Sequence, residues 1–394
     1  MNNYRPVALA SAISKVYEIV LLNRMKPFLN THDNQFGYKK GLGTDNCIYA
    51  LKEVISSYRS MNATVNLCFL DASKGFDRIN HRLLFDKLLN RGVPKCLVRT
   101  LSYWYANQNM CVRWGLAYSE CFGVSNGVRQ GGILSPYLFN VYMDELSSLL
   151  NKYQTGCYVG DTIVNHLMYA DDLVVIAPSA VGLQRLLDVC CEFGLSHDVK
   201  YNALKSCVMC CRSNLLRDVR AQEFYMGGIL INKVDKAKYL GHFISEDLSD
   251  DADIVRQMRV LCCQGNMILR KFHMCSAEVK LELFRAHCTS MYCSHLWWNF
   301  RKGTMKKFVT CYHNLLKRSL GLSKFESTSA TCAYFGVPSC EAVIRSFVYR
   351  FMTRADRSSN ALMSAICLSS LRYQSRIRRT WIGMLYTSVD VGVT

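Results

Sequence analysis

The sequence lacks the features that would assign it to a membrane, secreted or repetitive class. Half of its 394 residues are hydrophobic, yet no stretch approaches the ~20 uncharged apolar residues that a transmembrane helix needs. The N-terminus lacks the basic and then apolar layout of a secretory signal, so its 20 cysteines indicate reduced thiols rather than disulfides. No internal repeat or low-complexity tract is present. These absences predict an intracellular protein, cytoplasmic or nuclear, of two or three domains.

Acidic residues are scarce in the last third of the chain. Residues 254–394 hold 21 Lys and Arg against 6 Asp and Glu, whereas residues 1–253 hold 27 against 24. Such a segregated excess is typical of a surface that binds a polyanion. We expect nucleic acid in that role, with an anionic membrane as the alternative. The aromatic residues among these basic ones either stack on nucleic acid or pack in the core; they are Trp297, Trp298, Phe300 and Tyr312.

A predicted hairpin in the first part of the chain carries two adjacent acids. Tyr169-Ala170-Asp171-Asp172 stands between two apolar runs, a pattern that predicts two strands joined by a tight turn. The buried-strand pattern of residues 65–70 also ends at an acid, Asp71. Asp at a turn or a helix start usually has only a structural role. Carboxylates at neighbouring strand ends also suit a divalent cation, so both interpretations stay open on spacing alone.

Apolar periodicity and end signals predict the other elements. Helices are expected over residues 11–28, 45–58, 77–89, 135–150 and 183–194, and further strands near residues 206–211 and 229–243. Ser135-Pro136 indicates a helix that starts with a capping hydroxyl and a proline. An acidic break at residues 245–253 separates this alternating part from a mostly helical one.

Seven segments carry a resemblance to a known family. They are residues 3–9, 35–41, 69–77, 127–136, 169–172, 199–206 and 239–241. In this order they resemble two fingers motifs and five palm motifs of the reverse transcriptase domain of LINE-type non-LTR retrotransposons, of the jockey-like or a related clade. The resemblance implies an α+β right-hand polymerase with an antiparallel palm sheet backed by helices. It places partial fingers at residues 1–60, the palm with finger insertions at 61–245, a helical thumb at 246–330 and a basic helical extension at 331–394.

The function that the resemblance implies is RNA-directed DNA polymerase activity. Such an enzyme transfers a nucleotide from a dNTP to a primer 3′-hydroxyl with the help of two metal ions. Asp71, Asp171 and Asp172 are the implied ligands of Mg²⁺ or Mn²⁺, and Lys205 is the implied general acid for pyrophosphate. The implied partners are an RNA template and a DNA primer, which a basic groove would hold as an RNA–DNA hybrid.

The same motifs imply residues that bind the nucleotide and the primer. These are Phe76, Gln130, Gly131, Lys39, Lys40 and Arg5 for the nucleotide, and Tyr239, Leu240 and Gly241 for the primer grip. A ring at position 76 would leave no room for a sugar 2′-hydroxyl and so favour deoxynucleotides. Each residue also has a structural alternative as a core aromatic, a loop residue or a solvated lysine.

The sequence departs from the family pattern at its start and at Gly75. Met1 is followed almost at once by the first fingers motif, so we expect a chain truncated in the fingers and without an endonuclease domain. Gly75 stands where relatives often have Ala, which would loosen the following helix start. The alternative function is therefore a catalytically inactive retroelement relic that only binds nucleic acid.

Overall fold

The computed structural model describes residues 7–73, 75–212 and 222–386. Arg5, which we expect to bind phosphate, lies outside the described residues. The α-helices are α1 Ala12–Met25, α2 Thr44–Ser60, α3 His81–Asn90, α4 Lys95–Ala106, α5 Ser135–Lys152, α6 Ala180–Ser196, α7 Asp251–Lys271, α8 Ala277–Cys288, α9 Lys302–Ser319, α10 Thr328–Tyr334, α11 Cys340–Asp356, α12 Ala361–Arg372 and α13 Arg376–Tyr386. Short 3₁₀ helices occupy Lys26–Phe28, Gly75–Arg78 and Ser294–Leu296.

Most strands are short and lie in the first two thirds of the chain. They are β1 Val65–Leu70, β2 Asn109–Met110, β3 Arg113–Trp114, β4 Ala117–Tyr118, β5 Phe122–Gly123, β6 Cys157–Val159, β7 Thr162–Val164, β8 His166–Tyr169, β9 Asp172–Ala177, β10 Cys207–Cys211, β11 Tyr225–Met226, β12 Ile229–Leu230, β13 Asn232–Lys233, β14 Lys236–Tyr239 and β15 His242–Ser245. Helices and a sheet in one chain confirm the α+β class. Among the helices described, none combines the length and the apolarity that crossing a membrane requires.

The chain forms two compact units, and each is described separately. The first comprises Met1–Cys47 and Asn62–Val234, and the second comprises Ile48–Met61 and Asp235–Thr394. The division at Val234 lies slightly before the acidic break that marks the boundary in the sequence. The finer division into fingers, palm, thumb and extension stays a prediction.

A five-stranded sheet forms the centre of the first unit. Its strand order is β13-β10-β1-β9-β8, and all neighbours are antiparallel except β10 and β13. The expected antiparallel sheet therefore has one parallel pair at its edge. Every residue of β1 is buried, and five of its six residues are apolar, with Asn66 as the exception, as expected for a strand that is covered on both faces.

One face of the sheet packs against helices. Cys68, Leu70 and Val175 share a buried core with residues of α3, α5 and α6 such as Leu84 and Leu186. Full burial of one such aliphatic side chain stabilises the fold by about 1.5–3 kcal/mol. This core anchors β1 and β9, so their ends are held in fixed positions.

The start of α5 differs from the sequence prediction. Ser135 is the first residue of the helix rather than its cap, and the cap residue Leu134 makes no side-chain hydrogen bond. Instead the buried carboxylate of Glu18, on α1, accepts hydrogen bonds from the backbone N–H groups of Ile133 and Leu134, the latter at 3.2 Å. A carboxylate suits a helix N-terminus because the first N–H groups lack partners within the helix.

The predicted strand region 229–243 is divided into separate short strands. β11 and β12 form a hairpin, β13 joins the central sheet, and β14 and β15 form a second hairpin. Gly227 and Gly228 form the loop of the first hairpin and Gly241 lies in the loop of the second, and all three have positive φ angles, which glycine adopts easily.

The second unit is helical, and its aromatic residues include a buried cluster. The rings of Tyr49, Phe351 and Trp381 have centroids 5.3–5.6 Å apart. Trp297 and Tyr312 are also buried, so the core alternative is confirmed for these two. Trp298 is only half-buried.

A buried ionic network joins α2, α7 and the hairpin β14–β15 within the second unit. Lys52 Nζ lies 2.5 Å from Asp250 Oδ1 and donates to the carbonyl of Leu296 at 2.8 Å. Nearby, Asp253 Oδ2 lies 3.0 Å from His242 Nδ1. The side chains of Lys52, Asp250, His242 and Asp253 are at most 2% exposed. Removing one member of such a network leaves an uncompensated buried charge.

The buried carboxyl group of Glu53 is expected to make stability fall as pH rises. Burial raises the pKa of Glu53 to about 7 from its ordinary value of 4.5, although it accepts a hydrogen bond from Ser375 at 2.8 Å. A group with a raised folded pKa contributes stability that is fully present below its unfolded pKa and is lost as pH rises through the folded value. The loss between pH 4.5 and pH 7 is about 3 kcal/mol.

The Glu53→Gln variant should therefore lose less stability than the parent chain over that pH range. Urea unfolding at several pH values, followed by circular dichroism, measures the difference. Glu326→Gln, the same change at an exposed site, is the control and should leave the pH dependence unchanged. Parallel pH profiles for the parent chain and Glu53→Gln would contradict this assignment.

Candidate active site

The register of β1 and β9 brings two of the predicted carboxylates to one edge of the sheet. Leu70 pairs with Leu173, and continuing this antiparallel register by one residue sets Asp71 opposite Asp172. Directly opposed residues in antiparallel strands have Cβ atoms about 4.5–5.5 Å apart. Asp71 is half-buried and Asp172 is exposed, so the pair lies where the buried strands meet the surface.

The third carboxylate lies in the adjoining turn. β8 and β9 form a hairpin in which Tyr169 pairs with Asp172, so Ala170 and Asp171 are its two-residue loop. The predicted hairpin is confirmed, with the difference that Asp172 is already the first residue of β9. Ala170 has a φ of +55°, which two-residue hairpin loops commonly need but which Gly, Asn or Asp adopt more easily.

Gln35 holds this turn in place. Its Oε1 accepts hydrogen bonds from the backbone N–H of Ala170 at 3.0 Å and from that of Gly37 at 2.9 Å. Gln35 also forms a parallel bridge with Met168, whose N–H donates to the carbonyl of Asn34 at 2.8 Å. The segment predicted as the second fingers motif is therefore a support of the hairpin β8–β9.

Gly37 lies too close to the turn for any side chain. A Cβ at this position would lie 2.6 Å from the backbone nitrogen of Ala170 and 3.2 Å from the carbonyl carbon of Tyr169. Both neighbours are backbone atoms, so the clash could be relieved only by moving the turn. Asn140 fixes the glycine from the other side by donating to its carbonyl at 2.7 Å.

We expect Gly37→Ala to displace the turn and to reduce the proposed polymerase activity by about a hundredfold, since misplacing reacting groups by 1 Å has effects of that size. The rate of RNA-templated primer extension measures this. The control is Gly303→Ala, where a Cβ would meet no atom within 4 Å. Equal rates in Gly37→Ala and the parent chain would show that the turn tolerates the shift.

The backbone of Asp71 is held by the segment that resembles a later palm motif. The N–H of Asp71 donates to Ser206 Oγ at 3.1 Å, and its carbonyl accepts from the N–H of Asn202 at 2.9 Å. Lys205 lies in the same turn, with its N–H bonded to Asn202 and its side chain exposed. The structure thus brings Lys205 into the neighbourhood of Asp71, and its role as an acid stays a prediction.

Phe76 lies in the 3₁₀ turn beside the hairpin. Its ring is stacked on that of Phe139, with centroids 4.3 Å apart and planes 2° from parallel. The preceding Gly75 is close to the turn of the hairpin β8–β9, since a Cβ there would lie 3.6 Å from Cβ of Asp171. The same Cβ would lie 3.3 Å from the Phe139 ring, so Gly75 leaves Phe139 room to lie flat under Phe76.

The loop that carries Gln130 packs on the same turn. Gln130 Nε2 donates to Asp77 Oδ1 at 2.8 Å, and the N–H of Val128 donates to the carbonyl of Phe76 at 2.8 Å. Gly131 is exposed and has a φ of +108°, a conformation that favours glycine. Gln130, Gly131 and Phe76 therefore form one surface, whereas contact of Gln130 with a nucleotide stays a prediction.

The two lysines of the predicted triphosphate site have different environments. Lys39 Nζ donates to the carbonyls of Thr31 at 2.8 Å and His32 at 2.6 Å. Burial lowers the pKa of Lys39, an effect that the charge of Asp33 partly offsets. Lys40 is exposed. Lys40 is therefore the one free to reach a phosphate without breaking internal hydrogen bonds, and both roles stay predictions.

Sequence reasoning missed Glu18 and Arg129, which link the loop before α5 to α1. Arg129 donates to Ser14 Oγ at 2.9 Å, and its guanidinium lies 4.6 Å from the ring centroid of Trp104. Glu18 lies 3.8 Å from this guanidinium while it caps α5. Glu18 is the one acidic residue in the largely apolar helix α1, and this isolated acid is the sequence feature from which a buried ionic contact could have been predicted.

The donor chemistry of the strand ends fits a hard divalent cation. Mg²⁺ takes carboxylate oxygens and fills its other positions with water and phosphate oxygens, and Asp71, Asp171 and Asp172 supply carboxylates only. The charge of Asp171, together with burial as the larger cause, raises the pKa of the Tyr38 hydroxyl. Within residues 7–73, 75–212 and 222–386, no group of three His, Cys, Asp or Glu side chains is already arranged around a common ion position.

The residues predicted to grip the primer lie in the second unit. Leu240 and Gly241 are the two-residue loop of the hairpin β14–β15, with φ angles of +47° and +80°. Tyr239 is buried, and Tyr292 Oη donates to the carbonyl of Leu240 at 2.6 Å. The loop is thus rigidly held in its own unit, and its role at a primer stays a prediction.

Comparison with known proteins assigns this site to a class. Residues 1–244 match the family described as reverse transcriptase (RNA-dependent DNA polymerase). The chain therefore belongs to the reverse transcriptase family. This membership and the sheet backed by helices together confirm the predicted α+β polymerase fold.

The matching relatives are proteins of mobile elements. The Pol polyprotein of the type-2 retrotransposable element R2DM of Drosophila melanogaster is 32% identical over 249 residues, which cover 61% of this chain and 23% of the relative. The RNA-directed DNA polymerase of the mobile element jockey of Drosophila funebris is 23% identical, covering 96% of this chain and 42% of the relative. The predicted resemblance to LINE-type elements is confirmed, and the chain spans less than half the length of these relatives.

Solved structures of similar form include apo telomerase from Candida tropicalis. It is 13% identical with a TM-score of 0.46, and the match covers 94% of this chain and 57% of the telomerase chain.

Proposed function

We propose that this chain is an RNA-directed DNA polymerase of non-LTR retrotransposon origin. It would transfer nucleotides from dNTPs to the 3′-hydroxyl of a DNA primer on an RNA template. The observation that carries the proposal is the register that sets Asp71 opposite Asp172, with Asp171 in the adjoining turn. The meeting of these three acids at one edge of the sheet, on buried strands, supports a role in nucleotidyl transfer.

Asp71 and Asp171, with Asp172 beside them, would hold Mg²⁺ or Mn²⁺. When bound, two such ions lower the pKa of the attacking hydroxyl and stabilise charge on the phosphate oxygens. The protein holds the backbone that carries two of these acids, since Gln35 binds the turn at Ala170 and Ser206 binds the N–H of Asp71. Lys205 would deliver a proton to the departing pyrophosphate.

The other residues would select and orient the nucleotide. The flat stack of Phe76 on Phe139 supports a rigid wall for the sugar, and the exposed Gly131 allows the backbone to approach a base or phosphate closely. Lys40, with Lys39 and Arg5, would neutralise phosphate charge. Tyr239, Leu240 and Gly241 would contact the primer end.

The test is primer extension with the purified chain. A DNA primer annealed to an RNA template should be extended with dNTPs and Mg²⁺ or Mn²⁺, and chelation of the metal should abolish extension. Binding of the RNA–DNA hybrid is measured in parallel by fluorescence anisotropy. Hybrid binding without any extension would support the inactive relic instead, and neither binding nor extension would refute both functions.

We expect Phe76→Ala to admit ribonucleotides, because removing the ring opens space for a 2′-hydroxyl. Discrimination between dNTP and rNTP should fall by up to about a hundredfold, the range that shape alone provides against one added hydroxyl. Steady-state extension with each nucleotide gives the ratio of kcat/KM values. Phe85→Ala, at another half-buried Phe, is the control for lost packing. Unchanged sugar discrimination in Phe76→Ala would remove Phe76 from this role.

A further inference from the structure

Tyr38 combines a strained backbone with an exposed ring. Its φ is +59°, and among the described residues other than glycine that have a positive φ, it is the only aromatic one. Bulky residues adopt this conformation at a cost, whereas Gly, Asn or Asp adopt it more easily. Tyr38 is 46% exposed, so burial of the ring offsets only part of that cost. Strained residues of this kind cluster at functional sites.

Three side chains of the candidate active site share one face of the central sheet. Asp172 pairs with Tyr169, and Asp71 lies opposite Asp172 in the continued register of β1 and β9. Directly opposed side chains lie on the same face, and successive residues of a strand alternate between faces. The neighbours of these three along their strands belong to the core that packs on the helices, and they are Leu70, Leu173 and Met168. Asp71, Asp172 and Tyr169 therefore form a row on the face away from those helices.

Tyr38 extends this row past β8. The segment that precedes it lies beside β8 on the side away from β9, because Gln35 forms a bridge with Met168. The rings of Tyr38 and Tyr169 are neighbours, with centroids 6.4 Å apart. Burial and, as the smaller cause, the charge of Asp171 raise the pKa of the Tyr38 hydroxyl. The row therefore ends in an exposed ring whose hydroxyl stays protonated and can donate a hydrogen bond.

The two ends of the row have different surroundings. From Asp71 the chain continues into the turn of Phe76, which carries the surface assigned above to the incoming nucleotide. Tyr38 lies at the opposite end of the row. In nucleotidyl transfer the attacking hydroxyl and the leaving group are roughly in line, on opposite sides of the phosphorus atom. The end of the row that carries Tyr38 is therefore the one that remains for the primer.

We propose that Tyr38 contacts the primer strand at its 3′ end. The exposed ring packs against the terminal nucleotide, as aromatic side chains do in sites that hold single strands. The hydroxyl donates to an oxygen of the same strand. The proposal rests on the proposed polymerase function and deepens it, because it names a residue of the first unit that binds the primer end.

The test compares the binding of two RNA–DNA hybrids by fluorescence anisotropy, with Mg²⁺ but without dNTPs. One hybrid has a recessed primer 3′ end, and in the other a loop joins that end to the template, so that no 3′ end is present. The parent chain should bind the recessed hybrid more tightly. Tyr38→Asn should lose at least about tenfold in affinity for the recessed hybrid, the range of one lost stacking contact, and little for the closed one. Tyr38→Phe keeps the ring and should lose about fivefold, the effect of one hydrogen bond.

Thermal stability separates a contact with the primer from a role in folding. Because Asn tolerates a positive φ, Tyr38→Asn should melt no lower than the parent chain when unfolding is followed by circular dichroism. In primer extension its KM for the primed hybrid should rise about tenfold, while kcat stays close to the parental value. The control is Tyr158→Asn, at a tyrosine of β6 that is 44% exposed, and it should bind both hybrids like the parent.

Several results would overturn the proposal. These are a parent chain that does not distinguish the hybrids, parental binding of the recessed hybrid by Tyr38→Asn, equal losses for both hybrids, or the same loss in Tyr158→Asn. A lower melting temperature of Tyr38→Asn would also overturn it, since the ring would then serve the fold.

The binding measurement requires no synthesis, so it is independent of polymerase activity. A chain that prefers the recessed hybrid through Tyr38 but extends no primer would keep this inference and lose the proposed function. A chain whose Tyr38→Asn variant extends primers with the parental KM would do the reverse.

Discussion

Asp171→Asn is expected to reduce RNA-templated DNA synthesis by about a thousandfold or more. The substitution keeps the shape of the side chain but removes its charge, so a cation and the developing charge on the phosphate lose a partner. Loss of one electrostatic partner in a preorganised site lowers rates by about 10² to 10³, and loss of a metal ligand also weakens metal binding. Asp71→Asn should have an effect of the same order.

Asp172→Asn should have a smaller effect than either, because Asp172 is exposed at the start of β9, whereas Asp71 and Asp171 are half-buried. Single-turnover extension at saturating Mg²⁺, together with hybrid binding, measures all three variants. Binding should be retained throughout.

The hairpin β6–β7 offers a matched control for Asp171. Val159 pairs with Thr162, so Gly160 and Asp161 form a two-residue loop in which Asp161 has the place that Asp171 has in the hairpin β8–β9. Asp161→Asn should leave extension unchanged. If Asp171→Asn extended primers at the rate of Asp161→Asn, the assignment of the metal site would be wrong.

Lys52→Met is expected to destabilise the second unit by about 3–5 kcal/mol, the usual effect of removing one partner from a buried ion pair. The remaining carboxylate of Asp250 would stay buried, with Oδ2 accepting from the backbone N–H groups of Trp298 at 2.8 Å and Asn299 at 3.0 Å. Asp250→Ala should be at least as harmful, because it leaves the buried ammonium group of Lys52 without a counter-charge, with only the carbonyl of Leu296 as acceptor, and leaves two backbone N–H groups without their acceptor. Urea unfolding followed by circular dichroism gives the free energies.

An exposed ion pair nearby is the control for Lys52. Arg301 Nε lies 3.5 Å from Asp251 Oδ2, and the Arg301 side chain is 88% exposed. Arg301→Gln should change the free energy of unfolding by less than about 1 kcal/mol. Equal effects of Lys52→Met and Arg301→Gln would mean that the Lys52 pair is hydrated in solution.

The sequence predicts the elements of the first unit well where local signals agree. The apolar run 65–70 is β1, and the acid pair lies at a hairpin, because strand periodicity and turn chemistry point to the same structure. Ser135 is different. The local sequence suits a helix that is capped by the Ser135 hydroxyl, but at this helix start the carboxylate of Glu18, 116 residues from Leu134, accepts a hydrogen bond from the Leu134 N–H. A contact of that sequence separation has no local signal.

The site residues show the same limit. Asp71, Phe76 and Asp171 are recognisable because motif spacing fixes them, whereas Lys39 looks like a phosphate ligand until its carbonyl partners are known. The support of the hairpin by Gln35 and Gly37 is a tertiary contact, so spacing alone cannot reveal it.

The hydrogen bonds of Gln35 also limit how this domain can change over generations. One amide oxygen holds Gly37 and Ala170, the second of which is 135 residues away. A Gly at position 170 would relax the positive φ angle of the turn, but a different side chain at position 35 would release both segments at once. A recombination between related elements whose crossover falls between residues 37 and 170 would take Gln35 from one parent and the turn that it holds from the other. Functional chimaeras should therefore inherit both segments from one parent, or from parents that agree at residues 35, 37 and 170.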